Sequence, residues 1–317
     1  MRRPDFFIVG APKCGTTALY SYLGQHPEIF MPGSKGPHRA GPVPAGKEPH
    51  FLGSDLEFIG RRRPASTLAE YLAFFAEATD EKRVGEASTL YWCSKQSAIE
   101  IKEFCPSASI IIALRNPVDM MYSLHSQFLY NGNEDIEDFR LALDAEEDRK
   151  RGRRIPGTVI HVPGLFYRET VKFADQVRRY FDAFGRENVY SVIFDDFKDD
   201  PAGVYDQMLR FLDVAGGFRP TFGLVNPNKR VRSRVVRRFL GEPPDILRRA
   251  GRAMLPSGLR ESLSRFVVNV GRRANTRYER RMPMGAELRS RLLKELAPEV
   301  ARLSEVLGRD LMHWCKE

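Results

Sequence analysis

Residues 6–20 read FFIVGAPKCGTTALY, an apolar run that breaks into a glycine-punctuated turn and resumes as a helix-like pattern. Such a stretch makes a strand, a phosphate-sized loop and a helix N-terminus in immediate succession. Gly10 and Gly15 permit the tight turn. The first N–H groups of the helix, with the positive end of its dipole, then converge on one spot suited to an anion. Thr16 and Thr17 add hydroxyl donors there. The spacing is close to the nucleotide-binding G-x-x-x-x-G-K-[ST], yet Thr16 stands at the lysine position and the loop's one lysine is Lys13. Moving the cation into the middle of the loop changes the phosphate oxygen it reaches, and a hydroxyl pair replaces the usual lysine and magnesium ligand. The stretch predicts a nucleotide held without a metal. A degenerate phosphate loop of a kinase or NTPase, and the same three elements with no ligand, are the other readings.

The rest of the chain repeats the alternation. Helices are predicted over about 16–25, 66–78 (with Ser66 or Thr67 as N-cap), 95–104, 117–130 after an Asn116 cap, 136–150, 166–184, 201–212 and 285–307. Strands are predicted over 83–87, 109–114 and 189–194. Residues 109–114 (SIIIAL) form the continuous apolar run that a parallel sheet covered on both faces requires. Strands alternating with long helices imply right-handed βαβ units, hence an α/β fold around a central, mainly parallel sheet flanked by helices.

The 317 residues suffice for one large domain or two smaller ones, and the reading adopted is a single domain over 1–317. A formal charge of +9 favours anionic partners. The surplus is concentrated: residues 228–281 carry sixteen Lys and Arg against four Asp and Glu, and this basic, helix-rich segment reads as an insertion or subdomain. Four cysteines without paired or metal-ligand spacing suggest a reducing compartment. The first strand begins after five residues, which leaves no room for a signal peptide, and no run reaches the ~18 apolar residues of a spanning helix. The expected location is cytoplasmic. The six histidines form no ligand pair, so no metal site is expected.

Ligands of α/β sheets sit at the carboxyl ends of the strands. Arg115 follows the 109–114 strand directly, so its guanidinium lies beside the phosphate loop if the two strands are neighbours. Ser123, on the following helix, faces the same crevice. An arginine fork beside a hydroxyl is a good receptor for a phosphate monoester, although an arginine at a strand end is often only a surface pair.

These motifs carry a resemblance. Gly-Ala-Pro-Lys-Cys-Gly-Thr-Thr at 10–17 resembles the 5′-phosphosulfate loop of sulfotransferases that use 3′-phosphoadenosine 5′-phosphosulfate (PAPS), particularly the heparan sulfate enzymes and their bacterial relatives. Arg115 and Ser123 match the two binding residues of that family's 3′-phosphate motif. The resemblance implies a P-loop-type three-layer fold in which Lys13, Cys14, Gly15, Thr16 and Thr17 hold the 5′ end of PAPS, and Arg115 and Ser123 the 3′-phosphate. Family members also close a late basic loop over the nucleotide, for which Lys229, Arg230 and Arg232 are the candidates. Weaker similarity at 163–166, 180–181, 194–201 and 308–314 spreads the resemblance over most of the chain.

In-line sulfuryl transfer needs charge neutralisation at the bridging oxygen and a base for the acceptor proton. Lys13 suits the first role. Lys47-Glu48-Pro49-His50-Phe51 resembles the family's K-E-x-x-F segment, which makes Glu48 the base. His50 is the rival, since an imidazole suits proton transfer and cytosolic sulfotransferases use a histidine. Glu86-Ala87-Ser88 parallels a segment in which lysine usually follows the glutamate; Ala87 stands there, and Lys47 or an arginine is expected to substitute. Glu86 itself either orients Lys13 or Lys47 or pairs with a neighbour. The implied acceptor is a hydroxyl or amine of a glycan, a glycolipid or a small molecule, bound by loops at 33–46, 52–64 and 150–163. The basic segment leaves two other readings. One is a nucleic-acid binder on a nucleotide-type fold, which its lack of interleaved aromatics disfavours. The other is a peripheral contact with anionic membrane.

Overall fold

The computed structural model describes residues 2–34, 47–60, 63–223, 228–233, 236, 270–271 and 274–316. Five short segments pair into one sheet: β1 (Phe6–Gly10), β2 (Ile29–Phe30), β3 (Arg83–Ala87), β4 (Ser109–Leu114) and β5 (Val189–Ile193). Their order is β2-β3-β1-β4-β5 and every pairing is parallel. The apolar runs explain this arrangement, because each residue of β1 and β4 is buried and a strand with no polar face needs cover on both sides. β1 and β4 are neighbours, which satisfies the condition set for Arg115.

The cover comes from α1 (Thr16–Leu23), α2 (Leu68–Ala73), α3 (Ser97–Phe104), α4 (Pro117–Asn131), α5 (Phe139–Asp144), α6 (Glu146–Lys150), α7 (Tyr167–Thr170), α8 (Phe173–Phe184), α9 (Phe194–Asp199), α10 (Pro201–Phe211) and α11 (Ala286–Leu307). α8 packs against β4, β5, α3 and α11, and α10 against β5 and α9. The main apolar core is continuous from Phe6 through the sheet to Leu303 and Trp314.

Several boundaries differ from the sequence reading, each for a local reason. The 136–150 helix is two, because the Asp138 side chain accepts the Leu141 N–H (3.0 Å) and starts a new helix there, and the chain breaks again at Ala145. The 166–184 helix is divided at Val171 and Lys172, which leave helical geometry. Asn116 caps α4 as expected, accepting from the N–H groups of Val118 and Asp119. The strand expected over 189–194 stops at Ile193, and Phe194 opens the unforeseen α9. A two-stranded antiparallel hairpin, β6 (Lys229–Val231) with β7 (Thr276–Tyr278), was also not foreseen.

The end of α4 is fixed by a buried ion pair. Glu134 takes two hydrogen bonds from Arg149 (2.8 and 2.7 Å) and a third from the Tyr167 hydroxyl (2.8 Å), and neither charged side chain is solvent-exposed. Most of the loop expected at 33–46, Arg61 and Arg62, and most of the basic segment between 234 and 273 lie outside the described residues.

Candidate active site

β1 delivers the chain to the sheet's carboxyl edge, where Gly10 (φ 149°) turns it; a Cβ at Gly10 would lie 2.5 Å from that of Trp92. The Ala11 N–H bonds to Ala113 O of β4 (2.7 Å) and the Cys14 N–H to Ala11 O (3.4 Å), so the loop is braced internally and against the neighbouring strand. Cys14 is fully buried and burial pushes its thiol up to about 12; it serves as packing in the loop. Gly15, at φ 94°, starts α1 with no side-chain cap, and Thr16 and Thr17 form the first turn. The α1 N-terminus is thereby left to an outside acceptor.

Lys13 lies over this turn, held by a hydrogen bond from its Nζ to Gln127 Oε1 of α4 (3.1 Å). Burial, together with the charges of Arg281, Lys229 and Arg115, lowers its pKa from 10.5 to about 8. Four cations thus converge on one place, which proteins tolerate where an anion completes the set. Arg115 leaves β4 with its guanidinium 4.7 Å from the ring centroid of Phe194 and 3.9 Å from Asp119. Ser123 is buried on α4 and its hydroxyl accepts from Arg281 (2.8 Å), whose Cζ lies 5.6 Å from the Tyr122 ring centroid. Arg281 Nε is buried without a hydrogen-bond partner among the described residues.

The hairpin sorts the late basic residues. Lys229 is buried and acts on Lys13, whereas Arg230 is exposed and reaches Glu279 (3.4 Å), and the exposed Arg232 is held by its backbone N–H to Asn275 O (2.8 Å). All three line a cavity of about 710 Å³ with Tyr122 and Arg281. Sequence reasoning missed Arg281, because nothing in its immediate sequence separates it from the other arginines of the basic segment. It also missed Gln127, although Ser123 and Gln127 at i, i+4 mark one polar stripe of α4.

A second cluster stands at the end of β3. Glu48 keeps 22% of its side chain exposed, while Lys47 and His50 beside it are buried. Lys47 Nζ bonds to Glu48 Oε1, and Glu48 Oε2 accepts from the Thr89 N–H (2.6 Å) and hydroxyl (3.1 Å). Burial raises the Glu48 pKa, but the charge of Lys47 and these hydrogen bonds outweigh it and hold the carboxyl below its usual range. His50 Nε2 is 3.5 Å from Glu48, and burial takes its pKa down to about 4, so the imidazole is neutral. Both residues adopt left-handed backbone (φ 67° and 49°), which costs on the order of 1–3 kcal/mol each. Lys47, one of the residues expected to substitute for a lysine at Ala87, is paired with Glu48. Glu86 pairs with neither Lys13 nor Lys47 but accepts from the hydroxyls of Tyr71 (2.7 Å) and Tyr91 (3.1 Å).

Among the described residues no three His, Cys, Asp or Glu are grouped to hold a metal, and no helix is long and apolar enough to cross a membrane. Residues 4–218 match the model of a sulfotransferase family, a match that ends before the basic segment. The crystal structure of a sulfotransferase from Alicyclobacillus acidocaldarius is similar with a TM-score of 0.70 and 29% identity over 99% of both chains. Human bifunctional heparan sulfate N-deacetylase/N-sulfotransferase 3 is 25% identical over 67% of this chain and 22% of its own length. Human carbohydrate sulfotransferase 15 is 29% identical over 43% of this chain and 29% of its own. The chain therefore spans less than a third of the length of these curated relatives. A strand-loop-helix at the carboxyl edge of a parallel sheet, a family match over most of the chain and a solved bacterial relative agree in their conclusion: the chain belongs to the sulfotransferase family.

Proposed function

We propose that this chain transfers the sulfuryl group of PAPS to a hydroxyl or amine of a carbohydrate-containing or lipid-linked acceptor. The observation that carries the reading is the convergence of Lys13, Arg115, Lys229 and Arg281 beside the uncapped N-terminus of α1. A nucleotide with a phosphosulfate at one end and a phosphate at the other fits this donor set, and the Arg281 Nε, without a partner among the described residues, and the lowered Lys13 pKa support the fit. Lys13 and the first N–H groups of α1 would hold the 5′ end; Arg115, Ser123 and Arg281 would hold the 3′-phosphate. When bound, PAPS supplies the sulfuryl group, whose bond to the 5′-phosphate oxygen breaks as a bond to the acceptor forms.

Lys13 is the residue placed to neutralise charge that develops on the phosphate oxygen. Glu48 is the base, because it is ionised, partly exposed and aimed by Thr89 and Lys47, whereas His50 is buried and holds Glu48 from the other side. The carbohydrate class of acceptor is supported by the names of the relatives above. Calorimetric titration with the desulfated nucleotide PAP, followed by incubation with radiolabelled PAPS and glycan, glycolipid and small-molecule pools, tests the reading. The expected result is PAP binding and label in one pool; absence of PAP binding overturns it.

A further inference from the structure

Glu86 belongs to neither anion-binding half of the site, yet it is 1% exposed and sits where the 48–52 segment meets the sheet. That segment is anchored at alternate residues. The Glu48 N–H bonds to Ala87 O (2.9 Å), the His50 N–H to Ser88 Oγ (3.0 Å) and the Leu52 N–H to the Tyr91 hydroxyl (3.0 Å). Between them the Phe51 ring stacks on Tyr71, centroids 4.5 Å apart and planes at 16°. The hydroxyls of Tyr71 and Tyr91 both end on one atom, Glu86 Oε2, while Oε1 makes no hydrogen bond among the described residues. A single carboxylate oxygen therefore sets the position of both rings against which the segment rests. Left-handed backbone at Glu48 and His50 persists only where the surroundings over-determine it.

We propose that Glu86 is a positioning residue for Glu48: through Tyr71 and Tyr91 its ionised carboxylate holds residues 48–52 in the conformation that aims Glu48 at the acceptor. The inference rests on the sulfuryl-transfer reading above. The groups that face Glu86 are Tyr71 from α2, Tyr91 and Ser88 from the end of β3 and the turn after it, and Glu48 from the segment itself; Tyr20 from α1 feels both carboxylates and Tyr180 from α8 feels Glu86. Burial, with a smaller contribution from the Glu48 charge, brings the Glu86 pKa up to about 7 against the opposing hydrogen bonds of Ser88, Tyr71 and Tyr91. Only an ionised carboxylate accepts both phenol bonds at full strength. Glu48 and His50 titrate below this range, and Lys13, at about 8, gains rather than loses its charge as the pH falls, so loss of activity as the pH falls through neutrality reports Glu86.

The test needs no identified acceptor, because water serves as one: release of labelled sulfate from PAPS breaks the S–O bond to the 5′-phosphate, forms one to water and passes the water's proton to Glu48. Turnover at saturating PAPS is followed from pH 5.5 to 8.5 for the native chain, Glu86→Gln, Tyr91→Phe and Glu48→Gln, alongside PAP affinity. A displacement of about 1 Å costs about 10²-fold in rate. Glu86→Gln is expected to lose ten- to a hundredfold in turnover, to lose the inflection near pH 7 and to bind PAP within twofold of native. Tyr91→Phe is expected to show a smaller loss and keep the inflection, and amide exchange at 48–52 is expected to rise in both. If Glu86→Gln keeps native turnover and pH profile while Glu48→Gln is inactive, the positioning role is wrong and the transfer reading stands. If native and Glu48→Gln chains release sulfate equally, the reading itself fails and the inference with it.

Discussion

Replacing Lys13 by methionine is expected to stabilise the free chain while weakening its hold on the nucleotide. Burial and three nearby cations take the Lys13 pKa from 10.5 to about 8, which disfavours the charged form in the folded state by about 3 kcal/mol. Below pH 8 the lysine is charged in both folded and unfolded chains and the full cost is present. Between pH 8 and 10.5 the folded chain releases its proton first, so stability rises with pH, and above 10.5 the cost is gone. The substitution also removes the bond to Gln127, worth about 1 kcal/mol, which leaves a net gain of at most about 2 kcal/mol at pH 7. Urea denaturation of both chains at pH 7 and pH 10.5 reads this directly: the variant is more stable at pH 7 and loses its advantage at pH 10.5. A variant less stable than the native chain at pH 7, or an advantage independent of pH, refutes the reasoning. The same cause has a binding signature. At pH 8 about half of Lys13 is unprotonated, so PAP binding should draw about half a proton from solution, visible in calorimetry as a dependence on the buffer's ionisation enthalpy.

Three shorter predictions follow from the same geometry. Glu48→Gln should lower turnover by about 10²–10⁴-fold, the usual contribution of a general base, with PAP affinity unchanged in titration calorimetry. Arg281→Ala should weaken PAP by about 1.5–3 kcal/mol in titration calorimetry, the worth of a hydrogen bond to a charged group. Glu134→Ala strands the Arg149 charge in the interior and should destabilise the chain by about 3–5 kcal/mol in urea denaturation.

What the sequence disclosed is whatever depends on neighbours in the chain. The strand, loop and helix at 6–23 follow from an apolar run, two glycines and a helix start, and all lie within a few residues of one another. Arg115 was placed by one further inference, that β4 lies beside β1, and the sheet order confirms it. The hairpin was hidden because Val231 pairs with Thr276 across the basic segment, and its three-residue strands of Lys, Arg, Thr, Val and Tyr show no alternation of polar and apolar. Arg281 was hidden with it, since only the hairpin gives that arginine a reason to turn toward Ser123. Glu86 was visible as a carboxylate beside a motif, but its partners come from α2 and a turn after β3, a meeting that no local pattern encodes.

The site works against the fold in two places at once. Four cations are crowded where an uncapped helix end already carries positive potential, and two consecutive alternate residues of the 48–52 segment are held in left-handed backbone. Neither feature adds stability to the free chain, and both are carried by a parallel sheet whose central strands are buried throughout. A polyanion that binds the folded chain alone relieves the first of these costs and stabilises by mass action, about 2.7 kcal/mol at a hundredfold excess over its dissociation constant. Relief of repulsion makes that stabilisation depend on salt and pH through Lys13 in particular. The strained segment gains nothing from the nucleotide, because its anchors end on Glu86 and β3, so the two halves of the site should respond independently to ligand and to pH.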